Sequence, residues 1–460
     1  MDAGKENILM EENLKEPMSY GKTLEYIDHL RSYGVVPGLE NMRNLCAKLQ
    51  EPQDALTFIH IAGTNGKGSI LCLLTAALKE AGFRTGSYSS PELVDFRDMI
   101  RVNGKALSKA KLCRYMTRIK ELCQELVEEG KPHPTLFEVE TALAFWHFKE
   151  LKCDIVVLET GMGGELDATN VVKNTAVAVF SSISPDHIGV LGKNLCEIAW
   201  TKSGIIKPGS KVVSDVQQPE VLDEIRERCR RENTSLTVMD PDGLERGKST
   251  LKKQVFSYKE RKGMEISLAG CYQVENAATA LDTLDALSRC GYPVPERAVR
   301  KGFLEALWPG RFQVLSQNPL FIADGAHNAD AALKLAQSIR YYLDGRKIIL
   351  IMGVLRDKDR KALIEAVCPL ASHILTVSTP GSRGLSACEL AGEIKERYQC
   401  VSALDSVEEA VEISILMAGA GAAAAVVAFG SLSYLGRLIG AVEKRKPHEG
   451  AGKVRKSQNG

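Results

Sequence analysis

The segment Gly63-Thr64-Asn65-Gly66-Lys67-Gly68-Ser69 follows an apolar run at 57–61 and precedes a helix-forming stretch at 70–78. Strand, glycine-rich turn and helix in that order build a phosphate site. The pattern predicts backbone N–H groups at the turn and helix start that point outward unpaired. The helix dipole adds partial positive charge there, and Lys67 adds a full one. Glycines let phosphate oxygens approach the backbone closely. Gly68 separates Lys67 from Ser69, so the segment is a variant of the G-x-x-x-x-G-K-[ST] loop. A chain with this element is expected to use a nucleoside triphosphate.

The surrounding pattern fits an α/β fold. Short apolar runs at 57–61, 85–90, 154–159 and 175–183 alternate with longer amphipathic segments, which signals β-α units and a largely parallel sheet. A second series, at 320–323, 347–352, 373–377 and 424–429, follows Trp308-Pro309-Gly310. Two α/β domains are therefore expected, joined near 295–310, where Pro293, Pro295 and Pro309 cluster. The first is a phosphate-loop domain with a mostly parallel sheet over 18–300; the second is a smaller Rossmann-like domain over 301–443. Charged ends at 1–17 and 444–460 read as a loose N-terminus and a disordered tail. Two helices are expected over 20–49, separated at Pro37-Gly38. The run 413–429 is glycine-interrupted and at the lower length limit for a membrane span, so a helix followed by a buried strand is expected there.

Composition narrows the function. With 460 residues there is room for more than one core, and a formal charge of +1 does not favour nucleic acid or a membrane surface. The twelve cysteines form no C-x-x-C pair and no Cys/His cluster at zinc spacing. Without a secretory segment at the N-terminus, reduced thiols in the cytoplasm are expected, with Cys72 and Cys153 as small core residues.

Ligands of parallel sheets bind at the carboxyl ends of strands. Four expected strand ends in the first domain carry the loop, Ser89-Ser90-Pro91, Glu159-Thr160-Gly161 and Ser184-Pro185-Asp186-His187. Ser90, Glu159 and His187 could converge near a terminal phosphate and hold Mg²⁺, for which the two oxygen donors suit best. Each also has a plainer role: Ser90 in a turn, Glu159 capping one, His187 holding a loop. Lys202 follows a predicted helix at 195–200 and reads by position as a solvated helix end. Asn276 reads most simply as a helix N-cap. In the second domain Asp324-Gly325-Ala326-His327-Asn328 ends an apolar run, and the planar guanidinium of Arg311 can reach phosphate.

Together these motifs resemble the folylpolyglutamate synthase/dihydrofolate synthase family, a branch of the Mur-type ATP-dependent amide ligases. The resemblance runs from Tyr20 to Ile439 through HIAGTNGKGS, SPELVDF with IRVNG, LFEVETALAFWHF, ETGMGGELDATN, SPDHIGVLG, KSGIIKPG, ENAATAL, WPGRF, DGAHN and FGSL. It implies a larger ATP-binding domain, a smaller C-terminal domain, and catalysis between them. ATP would phosphorylate a carboxylate of a pterin-linked substrate, and the amino group of L-glutamate would attack the acyl phosphate. The implied partners are ATP, a pterin or folate and L-glutamate, with a monomer sufficient.

Carried onto this chain, Gly63, Thr64, Asn65, Gly66, Lys67, Gly68 and Ser69 would hold the phosphates. Ser90, Glu159 and His187 would hold Mg²⁺, and Lys202 falls at the lysine that is carbamylated in relatives and supports a second Mg²⁺. Asn276, Arg311 and Asp324 would contact the nucleotide, and His327 would lie near the acyl phosphate. The chain departs from the family where SPHL is usual and Glu92 stands, where ERI is usual and Asp98-Met99-Ile100 stands, and where GGR is usual and Glu165 stands. Thr201-Lys202-Ser203 replaces EKA, and alanine follows Asn328 in place of proline. Three of these changes remove a basic group, which bears on an anionic substrate. The alternatives are a Mur-type ligase acting on a non-pterin carboxylate and a non-catalytic ATP-binding scaffold.

Overall fold

A computed structural model describes residues 16–34, 36–186, 189–419 and 423–445. The loose ends expected at 1–17 and 444–460 therefore fall almost wholly outside the described residues. The chain forms two compact units, Met1–Trp308 and Pro309–Gly460.

In the first unit, parallel β-structure follows from strands that are apolar on both faces. The strands are β1 (Phe58–Ala62), β2 (Thr85–Tyr88), β3 (Ile100–Val102), β4 (Lys105–Ala106), β5 (Ile155–Glu159), β6 (Thr175–Phe180), β7 (Lys211–Ser214) and β8 (Leu236–Val238). They form one sheet in the order β4-β3-β2-β5-β1-β6-β7-β8. From β2 to β8 all pairings are parallel, while β3 and β4 add an antiparallel edge.

β1 shows why the sheet is covered on both sides. Phe58 packs with Val139, Phe145 and the helix Lys109–Glu128 on one face. Ile59 and Ile61 pack on the other with Leu73, Leu74 and the helices Lys67–Glu80 and Gln273–Ser288. Each fully buried chain of this size contributes roughly 1.5–3 kcal/mol. Cys72 and Cys153 are core residues. Two helices, Tyr20–Leu30 and Glu40–Lys48, flank Pro37-Gly38.

The sequence reading did not find β7, β8 or a separate antiparallel sheet of β9 (Leu244–Ser249), β10 (Gln254–Tyr258) and β11 (Arg261–Ile266). Only alternate residues such as Phe256, Tyr258, Met264 and Ile266 enter the core, and the less buried Val255, Ser257 and Glu265 alternate with them. That pattern hides a strand from a search for apolar runs.

The second unit holds β12 (Gln313–Gln317), β13 (Leu320–Ala323), β14 (Lys347–Met352), β15 (His373–Thr376), β16 (Val401–Ala403) and β17 (Ala424–Phe429). Their order is β12-β13-β17-β14-β15-β16, parallel except for β12. The run considered as a membrane span divides into the helix Val407–Ala418 and β17. No described helix is long and apolar enough to cross a membrane.

The helices Lys67–Glu80 and Glu296–Glu305 touch through backbone at Gly302. A Cβ there would lie 2.5 Å from Ala77 N and 2.6 Å from Ala77 Cα. Gly302→Ala gains helix propensity of about 1 kcal/mol but meets a packing cost of about 1–3 kcal/mol. The backbone cannot swing aside, so a net loss of roughly 1–2 kcal/mol is expected in urea unfolding. An unchanged midpoint would show that the helices separate freely.

Candidate active site

The strands whose ends carry candidate residues are neighbours in the order β2-β5-β1-β6. Register aligns Tyr88 with Leu158, Glu159 with Ile61, and Ala62 with Phe180, so their carboxyl ends form one edge. The phosphate loop leaves this edge and enters the helix Lys67–Glu80.

The loop is tied to the end of β6. Thr64 N–H and Asn65 N–H both donate to Ser182 O, at 2.8 and 3.2 Å. Thr64 Oγ1 donates to Ser184 O at 3.0 Å and accepts from Ser184 N–H at 3.1 Å. This corrects the expectation that the turn's N–H groups point outward unpaired, because two of them hold the loop in place. The donors suited to phosphate are those of the first helical turn from Lys67, which have no carbonyl partner within the helix. Gly66 starts this turn with φ +97° and no side-chain cap. A Cβ on it would lie 2.5 Å from Asn276 Oδ1.

Asn276 is therefore beside the loop, but not as an N-cap. The helix begins three residues earlier, at Gln273, and Asn276 lies buried in its first turn. Its Nδ2 donates to Gln273 Oε1 at 3.0 Å.

Lys67 Nζ donates to Gly63 O at 3.2 Å and Thr64 O at 3.3 Å, and stands 3.8 Å from Glu159 Oε1. Lys202 Nζ donates to the same Gly63 carbonyl at 2.9 Å. The solvated helix-end reading of Lys202 is overturned: it sits in the last turn of the helix Leu195–Ser203 with 4% exposure. Burial, then the Lys67 charge, pull its amine down to about 7, against the opposite pull of Asp186 and Asp167. A good part of Lys202 is thus neutral, and nucleophilic, near neutral pH.

Glu159 is a buried carboxylate at the end of β5, and Ser90 lies two residues beyond β2. Both offer the hard oxygen that Mg²⁺ prefers. His187 lies outside the described residues. Among the described residues no group of three or more His, Cys, Asp and Glu gathers at metal-binding spacing.

Sequence reasoning missed the support beneath this edge. Buried Asp167 accepts from Met162 N–H at 2.7 Å and Thr169 N–H at 3.0 Å, which shapes the turn after Glu159. Thr169 Oγ1 also donates to Asp167 and so accepts from His60 Nε2, at 2.9 Å. Burial pushes His60 down to about 3, so it is neutral. His60 gave a signal that went unused, a polar residue inside the apolar run of β1.

The acidic departures are matched by cations distant in sequence. Glu92 pairs with Arg31 at 2.5 Å and Glu165 with Arg228 at 3.1 Å, while Met99 is simply buried. Below the first pair lies Glu140, 5% exposed, raised to about 8 by burial and then by the Glu92 charge.

In the second unit Arg311, Asp324 and His327 meet at the end of β13. Asp324 accepts from Phe312 N–H and Ala326 N–H, each at 2.8 Å. A Cβ on Gly325 would lie 2.4 Å from Arg311 Nη1, which places the guanidinium over that glycine. His327 Nδ1–H donates to Gly325 O at 2.8 Å. Asn328 caps the helix Ala329–Tyr342 by accepting from Ala331 N–H.

Residues 61–284 match the Mur ligase middle domain and residues 310–432 the Mur ligase, glutamate ligase domain. The chain is 33% identical over 391 residues to dihydrofolate synthase/folylpolyglutamate synthase of Bacillus subtilis, covering 82% of this chain and 90% of that one. Folylpolyglutamate synthase of Mycobacterium tuberculosis complexed with ADP superposes with TM-score 0.84 at 29% identity, covering 94% of this chain and all of the other. FolC of Escherichia coli, in complex with DHPP and ADP, gives 0.82 at 29% identity over 94% and 99%. The chain thus carries both domains of a Mur-type ATP-dependent ligase. It belongs to the folylpolyglutamate synthase/dihydrofolate synthase family.

Glu140 has a pH signature. Its folded value of about 8 exceeds the ordinary 4.5, so the folded state holds the proton more tightly. That contribution is full below about pH 4.5 and is lost as pH rises through about 8. Glu140→Gln removes the loss, so its melting temperature relative to wild type should climb between pH 5 and 8.5. Parallel curves would place Glu140 among ordinary carboxylates.

Proposed function

We propose that this ligase joins L-glutamate to the carboxylate of a pterin-linked substrate, extending tetrahydrofolate, converting dihydropteroate to dihydrofolate, or both. The observation that carries this reading is the convergence of Lys67 and Lys202 on the Gly63 carbonyl, with Glu159 beside Lys67. Support for the substrate class comes from the solved relative bound to DHPP and ADP.

A carboxylate oxygen of the substrate attacks the γ-phosphorus of ATP, the bond to the β–γ bridging oxygen breaks, and ADP leaves. The acyl phosphate is then attacked at its carbonyl carbon by the neutral amine of glutamate. Phosphate departs, the nitrogen loses a proton, and an amide remains. First-turn N–H groups of the phosphate-loop helix hold the phosphates, and Lys67 offsets the charge that moves to the bridging oxygen. Asn276, against Gly66, borders the same pocket.

Glu159 and Ser90 would hold Mg²⁺, with His187 as the third candidate; the ion when bound neutralises phosphate charge. Lys202 is suited to carbamylation, since its neutral amine can add CO₂ with loss of a proton to give an anion. The C-terminal unit would contribute Arg311 and Asp324 to the nucleotide and His327 to the acyl phosphate. A monomer in the cytoplasm suffices for this chemistry.

The deciding assay is ADP release with ATP, Mg²⁺ and L-glutamate, with dihydropteroate, tetrahydrofolate or no pterin, and products weighed by mass spectrometry. Glutamate-dependent release with at least one pterin is expected, and none with either would overturn the substrate class. Lys67→Ala should lower kcat by about 100-fold or more, with an unchanged circular dichroism spectrum. A near-normal kcat would remove Lys67 from the chemistry.

A further inference from the structure

Gly68, the residue that separates Lys67 from Ser69 and breaks the usual phosphate-loop spelling, faces an aromatic ring. A Cβ on it would lie 2.7 Å from both Cζ2 and Nε1 of Trp308 and 2.8 Å from Cε2. The indole thus occupies the space where a side chain at Gly68 would stand, which accounts for glycine in the first turn of an otherwise regular helix. Trp308 ends the N-terminal unit.

Its approach to the helix is fixed from both sides. Ser267 Oγ donates to Ala306 O, and Cys72 Sγ, one turn along the same helix, donates to Leu307 O at 3.3 Å. These bonds lay residues 306–307 along the helix and deliver Trp308 to its start. The ring is half-buried, and its Nε1–H has no hydrogen-bond partner among the described residues. Tryptophan N–H groups in packed surroundings usually find an acceptor. Here the neighbouring surface is a row of donors, so the N–H is left to solvent or to a ligand seated on the helix start.

We propose that Trp308 is a binding residue of the nucleotide site, its Nε1–H donating to the phosphate chain of a bound nucleoside di- or triphosphate. The inference rests on reading Gly63–Ser69 as that site. It assigns a role to the tryptophan of WPGRF that the catalytic scheme leaves unused.

The test is calorimetric titration of the full-length protein with MgADP, run beside tryptophan emission. Trp308→Phe keeps most of the ring and removes the N–H. A charge-assisted hydrogen bond lost in this way should weaken ADP binding by about tenfold. The emission change on binding should also disappear, although Trp146 and Trp200 remain. Wild-type affinity with a persistent emission change in Trp308→Phe overturns the proposal. No ADP binding by the wild type overturns the phosphate-loop reading itself.

Gly68→Ala supplies a second arm, because its methyl displaces the indole. It should weaken ADP binding in the wild type and have no further effect in Trp308→Ala, with folding of each variant checked by circular dichroism. Additive losses would mean that the two residues act separately, and would overturn the proposal.

Discussion

One carbonyl, that of Ser182, holds the N-terminal unit's chemistry together. By accepting from Thr64 and Asn65 it fastens the phosphate loop to the end of β6. The reciprocal bonds of Thr64 with Ser184 double the tie. A loop held at both residues is preorganised, so phosphate need not first order it. The helix start then presents its N–H groups from a fixed platform, and the Gly63 carbonyl is placed where Lys67 and Lys202 can share it.

That shared carbonyl sets the electrostatics. Burial, and then repulsion from the Lys67 ammonium beside the same acceptor, make Lys202 costly to charge. Such a pair persists because the site is built for anions. Glu159 already supplies one carboxylate, 3.8 Å from Lys67. The acids at 92 and 165 do not spoil this balance, since Arg31 and Arg228 meet them directly. Each pair is neutral overall, its arginine coming from the N-terminal helix region or from the helix Pro219–Arg231.

Much of the architecture was legible in the linear pattern. The apolar runs at 320–323, 347–352 and 424–429 coincide with β13, β14 and β17, because parallel strands buried on both faces must be apolar throughout. β9 to β11 escaped notice because only one face of that small sheet is buried. Asn276 misled because an asparagine before an apolar run is a good cap. The turn at Gly270 allows the helix to begin before it, and its amide faces Gly66 instead.

By itself the sequence determined the phosphate loop, the candidate groups at neighbouring strand ends and the existence of two α/β units, since those depend on local spacing and hydrophobic period. Only the tertiary structure decided what each group meets. Lys202 became a buried amine because the end of its helix packs against a carbonyl 139 residues earlier. Glu92 and Glu165 became neutralised acids because arginines 61 and 63 residues away reach them. Charge and protonation depend on neighbours in space, and a linear pattern does not say which distant residues those will be.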